Sequence, residues 1–432
     1  MSSTGNLLIT NLHQIVQIVD DGDTAFLAGK DMSSIKVLES KSNDLAILST
    51  DGLIKFIGPK SNLPTDVIEL PTLATIDACG GSVIPGLVDG HSHPVFAGDR
   101  VHEFAMKLAG ATYMEVQAAG GGIHFTTTKT REATKAALVA DFKKIATEMI
   151  KNGTTTLEAK SGYGLEWETE LKMLEAIQEV ADLHTIEVSA TFCGAHAVPR
   201  GSTEAKQAEV IVSHMIPELV KLKSAGKLNS LENIDVFCEK NVFELESSKK
   251  ILKAGKDAGL AVNFHADELS ALGGAELGAE IGARAMSHLE EISEKGIAAM
   301  AKAGTVATLL PSTAFMLRLT PPPARAMIDA GVIIALGSDF NPNAYCLSMP
   351  TIMHLACVNF RMSMPEALVA ATLNSAHSLG RGNTHGAITV GRVADLIVLT
   401  AANWEHIIYR LAAQCSVINT VVKAGNVVYQ HS

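Results

Sequence analysis

The sequence predicts an α/β protein whose centre is a (β/α)₈ barrel of the TIM type, with a small β-rich unit at each end of the chain. Between residues 84 and 385, short apolar runs alternate with amphipathic helical patterns, and eight of these runs have the length of strands. Several follow a glycine that would end the preceding helix, as at Gly153, Gly259 and Gly304. Buried strands alternating with helices indicate a parallel sheet, and eight of them favour a closed barrel over the alternative, an open doubly wound sheet.

The two chain ends have a different pattern from the centre. Residues 1–83 carry short β-rich runs separated by turn signals such as Asp51-Gly52, which predict a small antiparallel β unit. Residues 386–432 repeat this style, with the run DLIVLT and a two-residue hairpin turn at Gly425-Asn426. The expected divisions are therefore 1–83, 84–385 and 386–432.

The barrel elements can be placed in chain order from their apolar runs. Each run is short and rich in β-branched or aliphatic residues, and most of the intervals between them have helical periodicity. The predicted strands are Gly86–His93, Thr154–Ser161, Glu187–His196, Ile234–Lys240, Leu260–Glu268, Ala285–Glu290, Thr305–Ser312 and Val332–Asp339. The clearest predicted helices are Arg131–Asn152, Thr169–Leu183, Ser248–Gly259 and Ser293–Ala303.

Composition excludes several classes of protein. Of the 432 residues 47% are hydrophobic and 19% charged, which suits a large core and excludes a disordered or fibrous chain. The net charge of −11 and the lack of a basic run argue against binding to nucleic acid. No apolar stretch reaches the roughly 18 residues of a membrane span, and the six cysteines form no CxxC pair. We therefore expect a cytoplasmic protein with reduced thiols and no membrane partner.

Most of the predicted barrel strands end in a polar side chain that is able to bind metal. In such barrels the catalytic groups lie at the carboxyl ends of the strands. A single histidine there would be interpreted as a core or surface residue, but so many strand ends of this kind indicate a common site. The side chains are His91 and His93, Lys160, His196, Glu239, His265 with Glu268, His288, and Asp339.

Four of these side chains have the chemistry of a metal shell. His91 and His93 are spaced i, i+2, so on a strand both imidazoles would face one side and could hold one ion. A third imidazole from His265 and the carboxylate of Asp339 would complete a mixed nitrogen and oxygen shell. Such a shell suits one divalent metal ion per chain, Zn²⁺ or iron (Fe²⁺/Fe³⁺), and leaves a position for water. Water at such an ion ionises near neutral pH, so the pattern predicts a hydrolase.

Sequence motifs give the chain a family resemblance. PGLVDGHSHP resembles the HxH opening of the amidohydrolase superfamily, and GAITVGRVADLIVL resembles part of the β-sandwich that its members build from both chain ends. From about Asp51 to its last residues, the chain further resembles the superfamily enzymes that open an imidazolone ring in histidine degradation. KSGYGL and GSDFNP are the most specific motifs for this closer match, which rests on HPVFAGDR, EAKSGYGLEWETELKML, CGAHAVP, NFHADE, MSHLEE and GSDFNPN.

The resemblance implies hydrolysis of a small molecule, 4-imidazolone-5-propanoate, to N-formimidoyl-L-glutamate, the third step of L-histidine degradation, by a homodimer. Arg100, nine residues after His91, offers the fork geometry that a propionate group needs, and Tyr163 offers a hydroxyl to the same carboxylate. Without the resemblance these two would be a solvated loop arginine and an exposed turn tyrosine. His196 would donate a hydrogen bond to the ring oxygen.

The resemblance also assigns the groups that handle protons. His288 resembles the superfamily histidine that polarises the attacking water or the scissile carbonyl. Asp339 would take a proton from the water and pass it to the leaving ring nitrogen, with its pKa held low by the metal ion. Glu268 would accept a hydrogen bond from a ring N–H and shuttle protons.

Two asparagines on the loop after the last barrel strand, Asn341 and Asn343, would hold the product. Here the chain has Asn343-Ala344 where a common bacterial form has Gly-Ser. Ala344 cannot replace a serine hydroxyl that contacts the substrate.

Other interpretations of the same residues were weighed. A deaminase of this fold acting on an aminated base shares the ligands but does not need Arg100 or Tyr163, and a non-catalytic scaffold would usually have lost ligands. Lys160 suggests a carbamylated bridge between two metals, but that lysine belongs on the fourth strand, so a single metal and an ion pair for Lys160 are expected. The run Gly120–Gly122 predicts either a lid or a plain surface loop.

Overall fold

The structure is a computed structural model that describes residues 5–64, 73–110, 115 and 121–431. Its N-terminal segment consists of short strands that form no part of the barrel. The strands are β1 (Asn6–Leu12), β2 (Gln14–Ile18), β3 (Lys36–Glu39), β4 (Leu45–Thr50), β5 (Leu53–Pro59), β6 (Leu73–Asp77) and β7 (Ser82–Pro85).

Eight parallel strands follow one another around a barrel in sequence order. The first and last strands meet where the Gly90 N–H donates to the Leu336 carbonyl at 3.2 Å, and a bridge between Ser92 and Phe340 extends this contact. The predicted barrel is therefore confirmed. Its strands are β8 (Leu87–Asp89), β9 (Thr154–Lys160), β10 (Glu187–Ala195), β11 (Leu231–Cys238), β12 (Ala261–Ala266), β13 (Ala285–His288), β14 (Val306–Leu309) and β15 (Ile333–Leu336).

Amphipathic helices cover the barrel. Lys135–Lys151, for example, buries Leu138, Phe142 and Met149 against the core. The predicted helix Arg131–Asn152 is split in two, because the Thr134 hydroxyl accepts a hydrogen bond from the Ala137 N–H and caps a new helix. The helices are Val101–Leu108, Ile123–Glu132, Lys135–Lys151, Trp167–Leu183, Glu204–Val210, Ile216–Ser224, Leu245–Asp257, Gly274–Ile281, Glu294–Ala303, Pro311–Leu317, Ala324–Asp329, Met349–Asn359, Met364–Ala370, Leu373–Ser378 and His406–Tyr409.

A β-sandwich is built from both ends of the chain, as the resemblance implies. The C-terminal strands are β16 (Leu396–Leu399), β17 (Ile418–Lys423) and β18 (Asn426–Gln430). They join N-terminal strands in a six-stranded sheet of order β18-β17-β16-β7-β2-β3, while β5-β4-β1-β6 form the second sheet. Apolar side chains of both sheets, including Ile9 and Val422, share one core. The exact domain boundaries stay a prediction.

The N-terminal unit differs from the predicted antiparallel arrangement. β1 pairs with β6 in parallel, and β2 pairs with β7 in parallel, while the other pairs in these two sheets are antiparallel. The hairpin turns visible in the sequence fix only the directions of strands joined by short loops. β6 and β7 reach their partners after long connections, which no local turn signal specifies.

Several expectations concern features outside the sheets. In the part of the chain that the structure describes, no helix has both the length and the apolarity to cross a bilayer. The thiols of Cys79, Cys193, Cys238, Cys346 and Cys357 are free, as predicted. Of the glycine run, Gly120 lies outside the described residues, and Gly122 caps the helix Ile123–Glu132.

Candidate active site

The four predicted metal ligands come together at the carboxyl end of the barrel. The Nε2 atoms of His91 and His265 each lie 3.3 Å from the Nε2 atom of His93. The Oδ1 atom of Asp339 lies 3.5 Å from Nε2 of His91 and 3.7 Å from that of His93. All four residues are buried.

The two histidines of the HxH motif lie beyond the strand on which they were predicted. β8 ends at Asp89. The residues after it are held by contacts between the first and last strands, where the barrel closes. Ser92 bridges to Phe340, and the Asp339 N–H donates to the carbonyl of His91 at 2.8 Å. These contacts thus bring the histidine pair and Asp339 together directly.

The orientation of the rings shows that the site fits a cation. His265 donates from Nδ1 to the carboxylate of Asp235 at 2.9 Å, and Nδ1 of His91 is bonded to the Ser287 hydroxyl at 2.7 Å. Because a carboxylate accepts, Nδ1 of His265 carries its hydrogen and the Nε2 of that ring presents a lone pair toward Nε2 of His93, an approach that suits a cation between the rings. The donor set therefore fits a metal ion held by three imidazoles and Asp339.

The protonation states of the site agree with this arrangement. Burial lowers the pKa of His91 and of His93 well below the usual range, with the charge of Lys160 contributing at His91 and that of His196 at His93. Neutral imidazole is the form that binds metals. Burial raises the pKa of Asp339 despite the Thr313 hydroxyl that donates to Oδ2, whereas a bound cation would lower that pKa and favour the predicted ionised form.

His288, at the end of β13, and Glu268, just past the end of β12, lie beside the ligand set. Their Nε2 and Oε2 atoms are 3.7 Å apart, and the His288 ring stacks on that of His265 with centroids 5.2 Å apart. Burial, with the charges of Glu290 and Asp339, raises the pKa of Glu268 well above its usual range. A carboxyl group in that state can donate a proton at neutral pH.

The backbone at two of these residues adopts a conformation that side chains rarely accept. His288 has φ +78° and Asp339 has φ +45°, both in the left-handed region. Strain of this kind persists when the surroundings fix the residue firmly, and it clusters at functional sites.

Glu290 is a site residue that the sequence analysis missed. Its Oε2 atom lies 3.7 Å from Nδ1 of His288, and neither of its carboxyl oxygens has a hydrogen-bond partner among the described residues. Burial raises the pKa of Glu290 to about 8. The available signal was its position two residues after His288 in the motif MSHLEE.

Arg100 and Tyr163 are buried beside the ligand set, which excludes the solvated alternatives considered for them. Arg100 donates from Nε and Nη2 to the Glu103 carboxylate at 2.8 Å, and that carboxylate also accepts the Gly122 N–H at 2.9 Å. Only 2% of Tyr163 is exposed, and burial raises the pKa of its hydroxyl, which therefore stays protonated.

His196 has a different hydrogen-bonding role from the predicted one. Its Nδ1 atom lies 3.0 Å from the Gly162 carbonyl oxygen, which can only accept, so Nδ1 carries the hydrogen. Burial lowers the pKa of His196 to about 3, so the ring is neutral. Nε2 is then an acceptor and cannot donate to a ring oxygen as the sequence analysis expected.

The side-chain amides of Asn341 and Asn343, on the loop after the last barrel strand, differ in the hydrogen bonds that they already make within the protein. Asn341 donates to the carbonyl of Asp339 at 2.7 Å and accepts the N–H groups of Asn343 and Ala344 at 2.7 and 3.2 Å, so its amide shapes the turn. The amide oxygen of Asn343 accepts a hydrogen bond from Lys107.

One open cavity at the carboxyl end of the barrel contains these groups. Every predicted site residue except His91 lines it: His93, Arg100, Tyr163, His196, His265, Glu268, His288, Asp339, Asn341 and Asn343.

The barrel, the composite sandwich and the ligand set together define a class of enzyme. The chain matches the model of the amidohydrolase family over residues 82–428. It belongs to that family and is a hydrolase. The fold is similar to that of guanine deaminase from E. coli (TM-score 0.67, 16% identity, 99% of both chains covered). It is also similar to an atrazine chlorohydrolase from Arthrobacter aurescens TC1 complexed with zinc (TM-score 0.71, 16% identity, 98% of this chain and 95% of that chain).

Closer relatives narrow the class to the imidazolonepropionases and confirm the resemblance seen in the motifs. Three full-length relatives are each named probable imidazolonepropionase. That of Nematostella vectensis is 54% identical over 426 residues, covering 98% of this chain and 99% of the relative. Those of Mus musculus and Homo sapiens are 52% and 51% identical, and each match covers 100% of both chains.

We expect active protein to hold one metal ion per chain, because His91, His93, His265 and Asp339 approach one another at one place. Elemental analysis of purified active enzyme should give a metal-to-chain ratio near one, and exhaustive chelation should abolish activity. Two tightly held ions, or full activity after chelation, would contradict this.

Proposed function

We propose that this enzyme hydrolyses the imidazolone ring of 4-imidazolone-5-propanoate to N-formimidoyl-L-glutamate, a step of histidine degradation, with one zinc or iron ion. The observation that supports it is the juxtaposition in one cavity of a water-activating ligand set with buried Arg100 and Tyr163. The substrate ring would then lie over the ligands with its propionate toward that pair. Relatives with the corresponding name at about half identity agree with this assignment. Homodimerisation and a cytoplasmic location stay predictions.

The groups around the ring have separate tasks in this proposal. A bound ion supplies Lewis acidity, which acidifies water and polarises a carbonyl. Asp339 accepts the proton of the attacking water and passes it toward the leaving ring nitrogen. His288 polarises the scissile carbonyl, and Glu268, whose pKa is raised, shuttles a proton at the ring N–H. His196 lines the same cavity, with Nδ1 bonded to the Gly162 carbonyl and Nε2 free to contact the substrate.

Recognition of the tail would depend on charge in a place that excludes water. Arg100 is only 7% exposed, so a carboxylate that reaches it makes a strong hydrogen-bonded pair. Glu103 already occupies two of its N–H groups, which fixes the plane of the guanidinium and leaves its other donors available. Asn343 stands at the same end of the cavity, and its amide nitrogen is available to a ligand.

The direct test adds metal-loaded protein to freshly prepared 4-imidazolone-5-propanoate and follows its absorbance. We expect the absorbance to fall in proportion to enzyme, with N-formimidoyl-L-glutamate as product. Parallel samples with guanine or cytosine should release no ammonia. A stable imidazolone together with ammonia release would replace this proposal with a deaminase.

Replacement of Arg100 tests recognition of the tail. Arg100→Ala should remove a contact of about 1.5–3 kcal/mol and lower kcat/KM by one to two orders of magnitude. Metal content should not change, and turnover of an imidazolone that lacks the propionate should be unaffected. Equal losses on both substrates would show that Arg100 has only a structural role.

Proton handling can be separated from metal binding by three variants. Glu268→Gln and His288→Asn should each lose about 10²–10⁴-fold in turnover and still copurify with the ion, because three imidazoles and Asp339 complete the shell. Asp339→Asn should lose ion and activity together. A metal-free Glu268→Gln or His288→Asn protein would make that residue a ligand, and wild-type turnover would remove its catalytic role.

A further inference from the structure

A buried lysine lies behind the ligand set and takes no part in the proposed reaction. The ammonium of Lys160 is 2.8 Å from Oε2 of Glu158 and 2.7 Å from Oδ2 of Asp235. None of the three side chains is more than 1% exposed. Charges buried this completely are costly unless they are paired, so each member of the group depends on the others.

Asp235 connects this lysine to the metal site. While Oδ2 pairs with Lys160, Oδ1 accepts hydrogen bonds from the N–H of His265 at 3.0 Å and from its Nδ1 at 2.9 Å. The three residues stand on different strands, β9, β11 and β12, so the connection runs across the inside of the barrel.

We propose that Lys160 is a positioning residue for the metal site: it holds Asp235 in place, and Asp235 in turn holds His265 with Nε2 toward the other ligands. Without the ammonium, the only close partner left to Oδ2 of Asp235 among the described residues would be Nδ1 of His265, 2.9 Å away, and the two carboxylates of Asp235 and Glu158 would have no cation between them. Repulsion between these carboxylates would push Asp235 away from His265 and free the imidazole to turn. The inference rests on the metal dependence of the proposed function and is independent of its substrate.

The direction of the change in metal affinity distinguishes a positioning role of Lys160 from a purely electrostatic effect of its charge. Lys160 is a cation near a cation site, so by Coulomb's law alone its removal would strengthen metal binding. Loss of an outer partner of a ligating histidine instead weakens metal binding by about 10–100-fold. The two explanations therefore predict opposite changes in the same measurement.

The experiment measures zinc affinity of metal-free protein by competition with a chelator. Lys160→Met should bind zinc about 10–100-fold more weakly than the wild type. Lys423→Met is the matched control, because Lys423 also lies between two carboxylates, Glu187 at 2.8 Å and Asp395 at 2.7 Å, but has no connection to a ligand. Its affinity for zinc should equal that of the wild type. Unchanged or tighter binding in Lys160→Met would overturn the proposal.

A double-mutant cycle tests whether Lys160 acts through Asp235. Asp235→Asn alone should weaken zinc binding to a similar extent, and adding Lys160→Met to it should cost little more, since the connection is already broken. Additive losses would show that Lys160 reaches the site by another route and would also overturn the proposal.

Two further steps keep the test decisive. If Lys160→Met does not fold, Lys160→Gln takes its place in both experiments, because it retains a hydrogen-bond donor without the charge. The visible spectrum of cobalt-loaded protein should change in the Lys160 variant and not in Lys423→Met, since it reports the ligands themselves. An identical cobalt spectrum in the Lys160 variant would contradict a displaced His265. If the wild type itself binds no zinc or cobalt, the metal part of the proposed function fails, and this inference fails with it; turnover of the substrate has no bearing on either result.

Discussion

The close approach of three imidazole Nε2 atoms is the constraint on which the rest of this barrel mouth depends. Two of the rings are oriented by a partner at the opposite nitrogen, Ser287 for His91 and Asp235 for His265. Because these partners belong to other strands, the alignment requires the register of neighbouring strands to be correct. A slip of one residue would turn the side chains to the opposite face of the sheet.

The surroundings of the ligands follow from the same constraint. Rings that approach this closely would separate if the site could relax, so the residues around them must be held firmly. The left-handed backbone at His288 and Asp339 and the pairing of Ser92 with Phe340 are signs of this confinement. The unpartnered carboxyl of Glu290 shows that the surrounding shell also contains polar groups whose hydrogen bonds the described residues do not complete.

Much of the fold, and the proximity of the four candidate ligands, could be predicted because both depend on repeated local patterns; the role of the four residues as ligands stays a prediction. Alternating apolar runs specify a barrel, and position at a strand end selected His91, His93, His265 and Asp339. The features that could not be predicted from the sequence depend on contacts between distant segments. The HxH pair was predicted to lie on β8. That strand ends before the pair, because the residues after it are held by contacts between the first and last barrel strands.

The remaining differences have similar causes. The hydrogen on His196 is fixed by the carbonyl of Gly162, which lies on a different loop, so no pattern near His196 could reveal that it accepts at Nε2. The amide of Asn341 makes hydrogen bonds within its own turn that no local pattern revealed, and its contact with the product stays a prediction. The prediction of an antiparallel N-terminal unit was wrong because β6 and β7 reach their partners after long connections. No local signal in the sequence shows the direction in which such a strand returns.

The composite sandwich has a consequence for synthesis of the chain. β7 pairs with β16, which is made only after the entire barrel, and β7 runs through Gly86 straight into the strand that precedes His91. On the ribosome, the first segment of the metal site therefore leaves the exit tunnel long before the strand that completes the sheet behind it. Until β16 has been made, the edge of β7 that it covers is unpaired, and an unpaired strand edge is prone to pair with other chains. Completion of the sheet next to the segment that carries His91 and His93 therefore depends on a strand that is made after the barrel.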